Sequence, residues 1–253
     1  ALEKELGVDL FERHGRGLSL TPTGLKLVEH VRAMSEAANM FSLAASGQSD
    51  LIEGNVVISA SETTAAFSLP KILLPFSQQY PGISLEIIAS NATSDLRRRE
   101  ADIAIRGFRP LQPDLIVKRL VNIEAGFYAT PAYVSSLGKA FGSMDLSHAC
   151  FLGFDHGDEM INALNERKVP VTEDNFSVIC ENHLVQWEMV KSGFGIGVMP
   201  ATIGDNEPRV QRVLLDMDTI TSELWLVAHR ELRSSRRIRV VFDYLSEALG
   251  HPC

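Results

Sequence analysis

Four groups of residues carry the side chains with which this chain could do chemistry. Ser61-Glu62-Thr63-Thr64 follows an apolar run and precedes a helix-like stretch. Backbone N–H groups and hydroxyls at such a strand-to-helix turn make a cradle for an anion or polar ligand, although a plain N-cap would use the same residue types. Asn182-His183 stands in the same context, with Asn182 suited to capping and His183 either donating to a ligand or simply solvated. Arg106 closes the run 102–106. A guanidinium at the C-terminal end of a parallel strand faces the crevice and suits a carboxylate or phosphate, whereas an ion pair with Asp155 is the structural alternative. Arg13 and Arg16 flank Gly15 in a short turn closed by Gly17, which lets backbone approach a phosphate or a minor groove; ordinary solvated charges are the other reading.

Other motifs lose their appeal in context. Gly193-Phe194-Gly195-Ile196-Gly197 lies between a helix and a strand, the reverse of a dinucleotide fingerprint, and reads as a helix C-cap entering a tightly packed strand. Acidic residues around His156 (Asp155, Asp158, Glu159) sit at a helix start, where they complement the dipole, and no second cluster completes a metal site. Arg97-Arg98-Arg99 is flanked by Asp95, Glu100 and Asp102 and reads as a solvated face. There is no G-x-S-x-G or H-E-x-x-H. Neither a metal, a cofactor nor an enzymatic activity is expected.

The elements that must position these groups change character along the chain. In ALEKELG, Leu2 and Leu6 are helical partners stopped by Gly7, and a hairpin follows to Leu20. Thr21-Pro22 opens a long helix, Thr as N-cap and Pro at the first helical position. On it Leu27, Val31, Met34, Ala38, Phe41 and Ala45 recur at alternating intervals of four and three, a heptad seam on a rod of roughly 35 Å. The seam reads as self-pairing or as an amphipathic helix lying on its own domain, and 47–50 looks like a linker. Beyond Gly54, strands are expected at 56–60, 83–89, 102–106, 126–129, 151–154, 176–180, 195–199 and 224–228. Helices are expected at 69–80, 94–100, 158–167, 183–192 and 236–249. This alternation argues an α/β architecture with largely parallel, doubly covered sheets, in an arrangement of two lobes.

Composition bounds the function. The 253 residues are 45% hydrophobic and 22% charged, enough for a sizeable core in one large or two smaller domains. No apolar run reaches the roughly 18–20 residues of a membrane span, and no secretory signal is visible at the start. Cys150, Cys180 and Cys253 form an odd set without C-x-x-C spacing, which argues against a disulfide scaffold and fits a reducing cytoplasm. Net charge is −8, so the chain as a whole does not coat nucleic acid. Even residues 1–34 balance five basic against five acidic side chains, so charge alone does not point to DNA.

The stretch LEKELGVDLFERHGRGLSLTPTG resembles the end of the DNA-binding domain of LysR-type transcriptional regulators. The resemblance continues through GNVVISAS, LPKILLPFSQQYPGISLEI, READIAIR and VKSGFGIGVMP to the C-terminal helix, essentially the whole chain. It implies the remnant, chiefly the wing, of a winged helix-turn-helix domain over 1–21, a linker helix for dimerisation over 22–50, and a periplasmic-binding-protein-like effector domain over 51–253. Lobe one would comprise 54–128 and 228–253, lobe two 129–227. Ser61, Thr63, Asn182 and His183 would face each other across the effector cleft, with Glu62, Arg106 and Asp155 beside them. Arg13, Arg16 and Thr21 would serve DNA, and Leu27, Val31, Met34, Ala38 and Phe41 the dimer. Family members that sense peroxide keep a reactive Cys in the stretch matching 154–158, and this chain has none there. Because the chain begins at Ala1 inside a helix, most of the helix-turn-helix is expected to precede it.

The expected function is thus a cytoplasmic regulator, a homodimer or homotetramer, that binds operator DNA and is controlled by a small molecule, with a carboxylate as the candidate class, held between two lobes. A stand-alone solute-binding protein would share the lobes without needing the heptad helix. An enzyme would need an acid–base pair, nucleophile or metal that the sequence does not assemble, and a bare oligomerisation module would not need the wing.

Overall fold

The computed structural model describes residues 2–14, 17–28, 30, 31, 34, 38, 52–91, 101–110, 112, 115–138, 146, 148–155, 159–215, 217, 219–229 and 235–250. A short helix α1 (Leu2–Leu6) leads to the antiparallel pair β1 (Phe11–His14) and β2 (Gly17–Leu20), with His14 opposite Gly17. Glu3 ties the two together by accepting the N–H groups of Leu10 and Phe11 at 2.7 and 3.0 Å. Those bonds hold its carboxyl below the usual range. Helix α2 is described over 22–28 and again at 30, 31, 34 and 38. Thr21 opens it as the sequence predicts, its hydroxyl accepting from the Gly24 N–H at 3.0 Å.

The main sheet has the order β10 (Gln211–Val213), β6 (Leu115–Ala129), β11 (Ile220–His229), β5 (Ile103–Arg106), β3 (Gly54–Ala60), β4 (Ile83–Ala89), with β9 (Gly197–Pro200) also on β6. β3 pairs in parallel with β4 and β5. β5 and most of β3 are buried, which is why they read as unbroken apolar runs. The other half of the sheet departs from the expected parallel arrangement. β6, β9, β10 and β11 are joined entirely by antiparallel pairings. The cause is connectivity: β6 and β11 run between the lobes in opposite directions and pair along nearly their whole length, interrupted by a bulge between Glu223 and Trp225.

Two separate cores flank these crossing strands. The first packs Val56, Ile58, Ile103, Ile105 and Leu226 against Leu69 and Phe76 of α3 (Leu69–Gln79) and against α8 (Arg236–Gly250). Ile238, Val241, Leu245 and Leu249 recur at three- and four-residue steps on one face of α8 and are buried there. The second core gathers Phe127, Phe151, Leu164, Val169, Val171 and Ile196, with Phe127 and Phe151 edge to face at 6.2 Å. It lies among α4 (Pro131–Ser136), β7 (Leu152–Gly153), α5 (Glu159–Glu166) and the ends of β6 and β9. β8 (Val178–Ile179) extends β7 in parallel, α6 (His183–Lys191) follows it, and α7 (Ala201–Gly204) follows β9. Among the described residues no helix is long and apolar enough to cross a membrane.

Candidate functional site

The C-terminal end of β3 delivers Ser61 to the mouth between the lobes. Its hydroxyl accepts the Thr64 N–H at 3.3 Å, donates to the Thr64 hydroxyl at 2.9 Å and lies 3.3 Å from that of Thr63. Ser61 therefore caps the helical turn that follows, which widens to π spacing over Thr64–Ser68 before α3 begins. Such widened turns frequently accompany functional sites, because they re-aim side chains without ending the helix.

Glu62 leaves that turn and reaches the other lobe. Its two carboxylate oxygens accept from Asn182 Nδ2 and from the His183 N–H, each at 2.7 Å. Asn91, just past β4, braces it from behind: Asn91 Nδ2 donates to the carboxylate at 3.0 Å and Asn91 Oδ1 accepts the Glu62 N–H at 3.2 Å. Asn182 is engaged at both ends of its amide, since its Oδ1 accepts the N–H groups of Leu184 and Val185 at 3.1 and 2.9 Å and so caps α6. The His183 ring packs on Phe154 with centroids 4.4 Å apart. Burial pushes its pKa below the ordinary histidine value, and the Glu62 charge opposes that push.

Arg106 takes a different place from the crevice-facing one that the sequence suggests. Only 3% of it is exposed, and it donates to the Ser59 hydroxyl at 2.6 Å and to its own neighbour's carbonyl, Ile105 O, at 3.0 Å. The guanidinium thus joins β5 to β3 inside the first lobe. Asp155 is exposed just beyond β7. The structure therefore unites Ser61, Glu62 and Thr63 with Asn182 and His183, while Arg106 belongs to the supporting layer.

Three contributors were missed in the sequence. Asn91 follows β4 as Ser61 follows β3, and the rule that ligands gather at the carboxyl ends of parallel strands would have flagged it. Gln186 is buried on α6, where its Nε2 donates to Leu152 O and Gly153 O, both at 3.1 Å, and fixes the helix against β7. Ser59 carried no local signal, because its importance comes from Arg106. The glycine-rich run does cap α6: Gly193 has φ +84°, its N–H donates to Val190 O at 3.0 Å, and the Phe194 N–H reaches Met189 O at 3.1 Å.

Hydroxyls, amides and one carboxylate brought together in this way are groups that can recognise a small polar molecule by hydrogen bonding. Among the described residues no group of three or more His, Cys, Asp or Glu side chains could hold a metal ion.

At the other end, Thr21 both caps α2 and donates to Asp9 O at 2.7 Å, fastening the helix to the base of the hairpin. Arg16, the side chain of Arg13, Phe41, the run 97–99 and His156 to Asp158 lie outside the described residues, as does 47–50, where a linker is expected. On α2, Val31 and Met34 are 58% and 72% exposed, Ala38 is exposed and Leu27 is half-buried.

Residues 49–250 match the family model described as the LysR substrate binding domain. The chain is 25% identical over 256 residues to the probable HTH-type transcriptional regulator LtrA of Klebsiella pneumoniae, an alignment covering 98% of this chain and 83% of that protein. Its fold matches that of CrgA, a LysR-type transcriptional regulator from Neisseria meningitidis, with a TM-score of 0.69 at 21% identity over 99% of this chain and 87% of the other. It also matches full-length LysG from Corynebacterium glutamicum with bound effector Arg, with a TM-score of 0.70 at 22% identity over 98% of this chain and 85% of the other.

Proposed function

The chain belongs to the LysR family of transcriptional regulators, and from that premise we propose that its activity is set by a small carboxylate-bearing effector bound between the two lobes. We assign the lobes to 54–128 with 228–253 and to 129–227, so that β6 and β11 cross between them as the hinge. The observation that carries the proposal is the Glu62 bridge, which places the Ser61–Thr63 turn of one lobe within hydrogen-bond reach of Asn182 and His183 on the other. An effector there competes with Glu62 for the donors of α6, and its differential affinity for the two hinge positions shifts the hinge.

The effector's carboxylate is assigned to the hydroxyls of Ser61 and Thr63 and to the cap of α6, with Arg106 acting from behind through Ser59 and Asp155 at the rim. An amino acid satisfies this site best, because its ammonium group complements Glu62; the neighbour LysG was solved with arginine as effector. The lobes then act through α2, paired with a second copy in a dimer or tetramer, on DNA gripped by Arg13 and Arg16 of the hairpin, with Thr21 setting the helix that carries it. No covalent step is required. Such a protein acts in the cytoplasm, where its operator is.

A thermal-shift screen of small carboxylates and amino acids tests the assignment. At least one should raise the melting temperature of the wild type, and Ser61→Ala combined with Thr63→Ala should remove that rise. A rise that survives the double substitution places the ligand elsewhere.

A further inference from the structure

Glu62 makes a contact that no ligand is needed to form. One carboxylate on the first lobe accepts two hydrogen bonds from the second, and the donors have no freedom to turn away. Asn182 Oδ1 is committed to capping α6, so its Nδ2 must face Glu62. The His183 N–H belongs to the first turn of α6, where backbone donors lack helical partners and a negative charge is favoured. On the first lobe, the Asn91 amide holds Glu62 at both its backbone and its carboxylate, so the side chain is aimed before the lobes meet. Phe67, five residues along the same segment, packs against the buried group of Tyr128, Leu152, Trp187 and Val190 and adds an apolar contact beside the polar one.

We propose that Glu62 is an interlobe latch that holds the cleft closed in the chain without effector. Opening the lobes breaks two charge-assisted hydrogen bonds and leaves the first turn of α6 without its anionic partner. The regulatory consequence rests on the reading that an effector binds between the lobes: its entry is then coupled to release of Glu62 from α6. The latch itself does not depend on that reading.

Interlobe distance measured by pulsed electron resonance tests the latch directly. Spin labels are placed through Lys71→Cys on α3 and Glu166→Cys on α5, both exposed, in the full chain with its three native cysteines replaced by serine and diluted into unlabelled chain. Without any ligand, Glu62→Ala should lengthen or broaden the distance distribution. Asn182→Asp should do the same from the other side, because aspartate still caps α6 but sets a second carboxylate against Glu62. In the Glu62→Ala background, Asn182→Asp should add nothing, since its effect needs the partner charge. Distributions for Glu62→Ala that superimpose on the parent overturn the proposal, as does an Asn182→Asp effect equal in both backgrounds. Because no ligand enters these measurements, a fruitless effector screen leaves their outcome intact, and unchanged distances remove the latch without touching the assignment of the cleft.

Discussion

The Arg106 guanidinium donates to the Ser59 hydroxyl at 2.6 Å, and both residues are buried between β5 and β3. A cation in that position is part of the wall rather than of the opening. Ser59→Ala takes an acceptor from a buried charge and should cost about 2 kcal/mol. In a domain of this size that lowers the melting temperature by about 4–8 °C. Arg106→Ala should also lower it, so its effect on effector binding has to be read by titrating protein that is still folded. Were Arg106 a freely presented ligand group, Ser59→Ala would leave the melting temperature unchanged, which calorimetry decides.

Gly204 closes α7 directly against the ring of Tyr128, and a methyl group there would overlap the ring carbons. The ring cannot retreat. It is fully buried, edge to face with Trp187 at 5.9 Å, and its hydroxyl donates to Asp205 at 2.7 Å. Gly204→Ala should therefore destabilise by about 1–3 kcal/mol, the usual cost of overpacking. Gly250→Ala at the end of α8, where an added methyl meets none of the described residues, is the matched control and should leave the urea midpoint in place or raise it slightly. Equal midpoints for the two variants would show that the Tyr128 pocket relaxes.

The alternation of elements was legible wherever a strand is buried on both faces or a helix has one apolar stripe, as in β3, β5 and α8. It failed on β6, of which only 126–129 was expected. Lys118, Arg119, Asn122 and Glu124 interrupt the strand because its middle is partly exposed as it crosses between the lobes. The short β10, α4 and α7 also went unread, since three to six residues give too little periodicity. At the cleft, the capping residues were visible as types, yet their meeting was not. Glu62 and Asn182 are 120 positions apart, and a pairing at that separation is written in the topology rather than in any local pattern.

His183 gives the stability of the second lobe a pH dependence. Burial depresses its pKa below the ordinary value of about 6.5, with the nearby Glu62 charge acting in the opposite sense. A group whose folded pKa is lower binds more protons when unfolded, so stability rises with pH through that window. The contribution is complete above about pH 6.5 and is lost as pH falls from there through the depressed folded value. Urea midpoints followed from about pH 8 to about pH 5 should decline more steeply in the wild type than in His183→Gln, which has no titrating ring. Parallel curves would assign the decline to other groups.

Val31 and Met34 stand side by side on α2, one turn apart and largely exposed, while Thr21 holds the start of that helix against the hairpin. Two large apolar side chains kept in water lose about 1.5–3 kcal/mol each relative to burial, which favours covering them with a second copy of the same seam. Val31→Asp with Met34→Asp should place carboxylates in that contact and shift sedimentation toward the smaller species. The α2 helix itself should persist, because neither position contributes to its Thr21 cap and both side chains already face solvent within one chain. Lys26→Ala, exposed earlier on α2 and outside the heptad seam, should leave sedimentation as it is. If the double substitution does not change the species either, this seam does not make the dimer.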